Sequence, residues 1–121
     1  KPLAASSGLA KAALDHIRDT GPKGIVSHTG SDGSTPRERV ERHGHWQSTL
    51  GENIAYHPVP SARRIVMLLI VDDGVPDRGH RTIIFNPAYR VVGVATGPHS
   101  LYGSMCVQEF AGDFSGNDTA F

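Results

Sequence analysis

A single cysteine, Cys106, in a chain of 121 residues excludes an internal disulfide and any zinc site built on several thiolates. No apolar run approaches the roughly 18 residues that a membrane-spanning helix needs, and no segment reads as a signal peptide. An excess of one charge is also missing. The 12 basic and 12 acidic side chains cancel, so no global field draws the chain to nucleic acid or to an anionic membrane. An initiating methionine is lacking, and opening on Lys1 fits a processed product or a piece of a longer polypeptide. What the chain does have is histidine, 7 in all, which makes its net charge drift positive below about pH 6.5. The length suits one domain that removes roughly two-thirds of its unfolded surface from water without staples.

The most informative stretch is the apolar run Ile65 to Val71, which ends in Asp72-Asp73, breaks at Gly74-Val75-Pro76 and then delivers His80 and Arg81. Its periodicity suits either a buried strand or a buried helix. Its length, the Ser61 cap and the Gly74-to-Pro76 stop predict a helix covered on nearly all sides. Upstream, Leu9, Ala13 and Ile17 recur every four residues behind a Ser6 or Ser7 cap, which predicts an amphipathic helix ended by Gly21-Pro22. His16 lies at the edge of its core face, as a packed or half-exposed histidine. Thr35-Pro36-Arg37-Glu38 has the form of a capping box with proline at the first helical position. That predicts a short helix to about His43, stopped by Gly44.

Trp46 falls in a turn-rich link, filling the core or the domain edge, and Gly51 to Tyr56 reads as a strand or turn. After Asn86-Pro87 come two strands, Tyr89 to Ala95 and Ser104 to Phe110, joined by a loop holding Gly97-Pro98 and Gly103. Both faces are mostly apolar, so the sheet is expected to be buried on both sides. Cys106 sits inside the second strand as a small buried thiol. Three helices around a short sheet make an α+β fold with α-β-α layers. Residues 1–112 form the domain, and the polar residues 113–121 form a fraying tail.

Chemistry-bearing groups stand beside turns: His28, Glu52, Asp72 or Asp73, and His80. Two imidazoles and two carboxylates suit a borderline divalent cation such as zinc, but their spacing matches no short metal motif, so convergence has to come from the fold. Asp32-Gly33-Ser34 lacks the alternating oxygen ligands and closing glutamate of a calcium loop. Ser27 and Ser31 are loop residues, and no serine or cysteine stands in a nucleophile's setting beside a base.

The ordered set Ser27-His28-Thr29-Gly30-Ser31-Asp32-Gly33-Ser34-Thr35, Gly51-Glu52-Asn53-Ile54-Ala55, Gly79-His80-Arg81 and Arg90-Val91-Val92-Gly93-Val94-Ala95 resembles the CAP superfamily. These are the SCP-like extracellular domains of cysteine-rich secretory, antigen 5 and pathogenesis-related proteins. The resemblance runs from about Leu3 to Phe110 and is nearest to the short, disulfide-poor form of bacteria and some protists. It implies an α-β-α sandwich with a central, mainly antiparallel sheet, whose first helix begins before the Leu3 equivalent.

It also implies a His-Glu-Glu-His cleft carried here on His28, Glu52 and His80. At the fourth position this chain departs from the pattern: Asp72 or Asp73 stands where the family has glutamate. Asp72 is preferred because it lies three residues after Leu69, the position aligned with the family's helix tryptophan. The implied function is a secreted or cell-surface module that binds a partner protein or a small, lipid-like ligand, with a divalent cation, zinc foremost, in the cleft. The alternatives are a structural or adhesion module, and metal-assisted hydrolysis with Glu52 as base.

Overall fold

The computed structural model describes residues 3–58, 61–71 and 79–116. Asp72 and Asp73 lie outside the described residues, and of His80 the backbone is described but not the side chain. In chain order the elements are β1 (Ala4–Ala5), α1 (Ser7–Thr20), α2 (Pro36–Glu41), β2 (Gly44–His57), α3 (Ala62–Val71), α4 (Gly79–Phe85), β3 (Val91–His99) and β4 (Gly103–Gly116). The four strands form one sheet in the order β1-β3-β4-β2. Only β1 and β3 run parallel; the other pairs are antiparallel.

Ser6 caps α1, its hydroxyl accepting from the Leu9 amide at 3.3 Å. Leu9, Ala12, Ala13, His16 and Ile17 are all buried on the face that packs on the sheet. Gly21 ends the helix in a right-handed conformation, so a left-handed cap is not what selects glycine there. A Cβ at Gly21 would lie 2.4 Å from the Pro98 carbonyl oxygen, and close approach to β3 is the reason. The capping box forms as expected: the Thr35 hydroxyl accepts from the Glu38 amide at 3.2 Å, while the Glu38 carboxylate accepts from the Thr35 amide at 3.1 Å.

Register divides the sheet into two faces. Met105, Val107, Glu109 and Ala111 of β4 stand level with Tyr56, Ile54, Glu52 and Leu50 of β2. This row faces α1, where Ala13, Ile17, Ile54, Met105 and Val107 make one cluster and Leu9, Ala12, Val40 and Ala111 another. The opposite face carries Ala55 and Cys106 against Ile65 and Leu69 of α3, with Ile84 of α4 beside them. The layers are therefore α1 on one side of the sheet and α3 with α4 on the other, the expected α-β-α sandwich.

Several expectations need correction. Strand β2 begins at Gly44 and runs for 14 residues, so Trp46 is a strand residue paired with Phe114 and no turn-rich link exists. Its ring still helps close the second core cluster. Strand β3 continues through Gly97-Pro98 to His99; past the two-residue β1 it is an edge strand, where proline's missing N–H costs no ladder bond. Asp113 to Gly116 belong to β4 and pair with Gly44 to Gln47, so the strand extends four residues into the expected tail.

The sheet is not buried evenly: β4 is covered on both faces, while β3 leaves Val94 exposed. Helix α3 forms where the run from Ile65 to Val71 predicted it, with Ser61 accepting from the Arg64 amide at 3.3 Å. It is not covered all round, for it buries the i, i+4 pair Ile65 and Leu69 while Val66 and Met67 stay exposed. The fourth helix, α4, was hidden in the segment around His80.

Candidate functional site

The loop from Ile25 to Ser34 lies between α1 and α2 and carries His28. It is held by bonds within itself and by anchors from α1 and α2. The Ile25 amide donates to the Thr20 carbonyl at 3.1 Å, and the Gly30 amide to the Ser34 carbonyl at 2.8 Å. Asp32 accepts from the Ser34 amide at 2.9 Å, which makes Asp32-Gly33-Ser34 a local turn rather than an ion site. On the outer side Asp19 accepts from the Ser31 amide at 2.7 Å and from Lys23 at 3.1 Å. The Ser31 hydroxyl is the main reason the Asp19 carboxyl is brought down to about 2.

Inside, His16 is completely buried, with Nε2 2.7 Å from the Ser27 carbonyl. Burial first, then the charge of Arg39, holds its pKa below the ordinary histidine value. A neutral ring so placed donates Nε2–H to Ser27. His16 is thus a fastener for the residue before His28, a role that its place at the edge of a helix face did not disclose.

Arg39 does more. Its side chain is 1% exposed. One guanidinium nitrogen donates to the Ser34 carbonyl at 2.9 Å, and the other donates to the His28 carbonyl at 2.8 Å and to Glu52 Oε2 at 2.9 Å. A planar fork with several donors suits this task better than the point charge of lysine. One residue of α2 thereby fixes both the backbone of the loop and the carboxylate of β2.

Glu52 meets the histidine at its other oxygen. His28 Nδ1 is 2.7 Å from Oε1, and the imidazole side chain is 56% exposed against 2% for the carboxylate. Burial alone would raise the Glu52 carboxyl. Hydrogen bonds from His28 and Glu109, with the charge and hydrogen bond of Arg39, outweigh it and bring the carboxyl down to about 2. An ionised Glu52 requires Nδ1 to carry the proton, which leaves Nε2 of the neutral ring with the lone pair, free to accept a hydrogen bond or bind a metal.

Of the sequence-derived set, two members have described side chains. His28 and Glu52 come together as an intimate pair. Asp72 and Asp73 are outside the described residues, and His80 is placed only by its backbone in α4. Glu52 does not fit a direct metal ligand, because each of its oxygens is engaged and a guanidinium stands 2.9 Å away. His28 does fit through Nε2, with Glu52 as the carboxylate that orients the ring. Nor is Glu52 suited to general-base work, since its two oxygens are held by His28 and Arg39, which keep the carboxyl below the usual carboxylate range.

The sequence reading missed Arg39 and Glu109. Glu109 is the β4 partner of Glu52 in register, 1% exposed, and one of its oxygens has no hydrogen-bond partner among the described residues. The available signal was a glutamate set among the apolar residues of a strand, Met105 to Val107 and Phe110 to Ala111. Two open hollows of about 370 Å³ lie elsewhere, one beside Glu41 and Trp46, the other at Ser48 and Asp113; neither borders His28 or Glu52.

Comparisons with known proteins bear on the fold. An outer surface protein from Borrelia burgdorferi superposes with a TM-score of 0.74 at 19% identity, covering 92% of this chain and 77% of that one. An extracellular protein containing a SCP domain from Bacillus anthracis superposes with a TM-score of 0.70 at 24% identity, covering 92% of this chain and 34% of that one. Among curated proteins no match is found. Residues 1–110 match the family described as CAP, the Cysteine-rich secretory protein family, and with the layers and the ordered segments above they place the chain in it: the protein belongs to the CAP family.

Proposed function

We propose that the chain is an extracellular CAP domain that binds a ligand or partner at the cleft around His28, with a divalent cation, zinc foremost, as the candidate guest of His28 Nε2. The observation that carries this reading is the half-exposed imidazole whose Nδ1 lies 2.7 Å from a buried carboxylate. A carboxylate behind a histidine fixes the tautomer and the ring orientation and is the usual support of a metal-bound ring. His80 and Asp72 or Asp73 are the candidates to complete the ligand set. When bound, zinc would bring Lewis acidity to the cleft. The chain's own residues orient the ring.

An apolar surface next to the loop favours a ligand with an apolar body, lipid-like or otherwise. Val26 is exposed there. Across the hydrogen-bonding contact of His99 Nε2 with the Ile25 carbonyl, at 3.0 Å, Leu101 and Tyr102 are exposed as well. Location outside the cell is supported by the similar Borrelia protein, an outer surface protein, and by the similar Bacillus protein, an extracellular one. The chain spans 34% of the latter, so activities of that whole protein are not carried over. A structural or adhesion module is the second reading, favoured by the exposed Val66 and Met67 of α3 and Phe85 of α4.

Titration calorimetry with zinc tests the cation reading on the wild type, His28→Ala and His80→Ala, at about pH 7.5 and about pH 5.5. The wild type is expected to bind, more weakly at the lower pH because protons compete for the same nitrogen, and His28→Ala is expected to lose binding. Equal affinity in every variant and at both pH values, or none at all, removes the cation and leaves a binding or assembly module.

A further inference from the structure

The α1-facing side of the sheet holds two carboxyl groups and one cation. Glu52 and Glu109 are directly opposed in the β2-β4 register, and on the remaining side β3 contributes only Gly93, the register partner of Glu109. A Cβ at Gly93 would lie 2.0 Å from the Ala10 amide nitrogen, so α1 closes over this row and keeps water out. Among the described residues the ionisable groups facing it are His16 from α1, Arg39 from α2, Glu52 and Tyr56 from β2 and His28 from the loop. His16 is buried and neutral, and Arg39 is committed to Glu52, His28 and Ser34.

Two ionised carboxylates side by side would leave one of them without a counter-charge in a dry site, a cost that a shared proton removes. The proton has a definite place. Glu52 receives hydrogen bonds from His28 and Arg39 and so stays ionised; among the described residues no cation donates to Glu109.

We propose that Glu109 is a buried acidic partner of Glu52, held as a neutral carboxylic acid that donates its proton to Glu52, and that it acts as a positioning residue for the His28 ring. Burial first, then the hydrogen bond to Glu52 and repulsion from its charge, push the Glu109 carboxyl well above the usual carboxylate range. The arrangement is a line, with the Glu109 O–H on Glu52, Glu52 on His28 Nδ1–H, and the outer nitrogen turned toward whatever enters. This deepens the cleft reading only in its consequence for His28. The protonation of Glu109 stands whether or not any ligand binds.

Infrared spectroscopy at neutral pH tests the proton directly. The wild type is expected to show a protonated-carboxyl C=O band that shifts on deuteration and disappears in Glu109→Gln. Should that variant fail to fold, 13C-carboxyl NMR of glutamate-labelled wild-type protein gives the same reading, with one glutamate protonated at neutral pH. Positioning is tested by 15N NMR of His28: Glu109→Gln, whose amide still donates, is expected to keep the Nδ1–H tautomer, whereas Glu109→Leu fills the space, donates nothing and mixes the tautomers. A wild type with every glutamate ionised at neutral pH, or a C=O band that survives in Glu109→Gln, overturns the proposal. Identical His28 spectra in the Gln and Leu variants overturn the positioning role. Neither result depends on whether zinc binds, so failure here and failure of the cation reading are distinguishable.

Discussion

Arg39 is the residue on which the cleft turns. Its charge is the only one from α2 that reaches the buried carboxylate, and its two outer nitrogens also tie down the carbonyls of His28 and Ser34. Removing one member of a buried ion pair leaves the other charged and unsolvated, and the penalty greatly exceeds that of losing a surface pair. Arg39→Met is therefore expected to cost about 3–5 kcal/mol of stability in chemical denaturation, with His28 losing its fixed orientation at the same time. A loss below about 1 kcal/mol, typical of an exposed pair, would mean that the guanidinium is not the anchor. The sequence offered Arg39 only as the fourth residue of the short helix behind the capping box. Whether a helical arginine points to solvent or under the adjoining loop depends on where that loop lies, which is tertiary information.

At the scale of elements, legibility followed the reach of the signal. Helices α1, α2 and α3 carried their own caps and periodicities, and each formed where its residues predicted. What stayed hidden depended on partners distant in sequence. The first half of β2 is polar and glycine-bounded, and it becomes strand because Asp113 to Gly116 pair with it. Proline at position 98 is tolerated because β1 is too short to cover that edge.

His28 and Glu52, 24 residues apart, were legible only through the ordered family segments. Glu109 could be noticed as a glutamate among apolar strand residues, but nothing local names the carboxyl opposite, which only the β2-β4 register supplies. Helix α3 supplies the check at this scale. Leu69 is 3% exposed and packs with Ile65, Ala55 and Cys106, so Leu69→Ala is expected to lower stability by about 2–5 kcal/mol. A change well under 1 kcal/mol would contradict the placement of α3 on the sheet. Cys106 belongs to the same layer, and burial pushes its thiol up to about 11, which fits a packing residue and not a nucleophile.

Across the whole molecule the layers divide the work. Helix α1 seals the face carrying the carboxyl pair, α3 and α4 seal the other, and the loop between α1 and α2 brings a half-exposed imidazole to β2, which is the edge of the sheet. A CAP domain built in this way offers one preorganised nitrogen at its surface, backed by a buried line of carboxylate, guanidinium and carboxylic acid. The claim rests on the tautomer of a single ring. The direct measurement is the long-range 1H–15N correlation spectrum of His28 at a pH where the ring is neutral: the expected result is Nδ1 protonated and Nε2 bearing the lone pair, with the pattern lost in Glu52→Ala. A ring protonated mainly at Nε2, or one whose tautomers are unaffected by that substitution, would contradict the account.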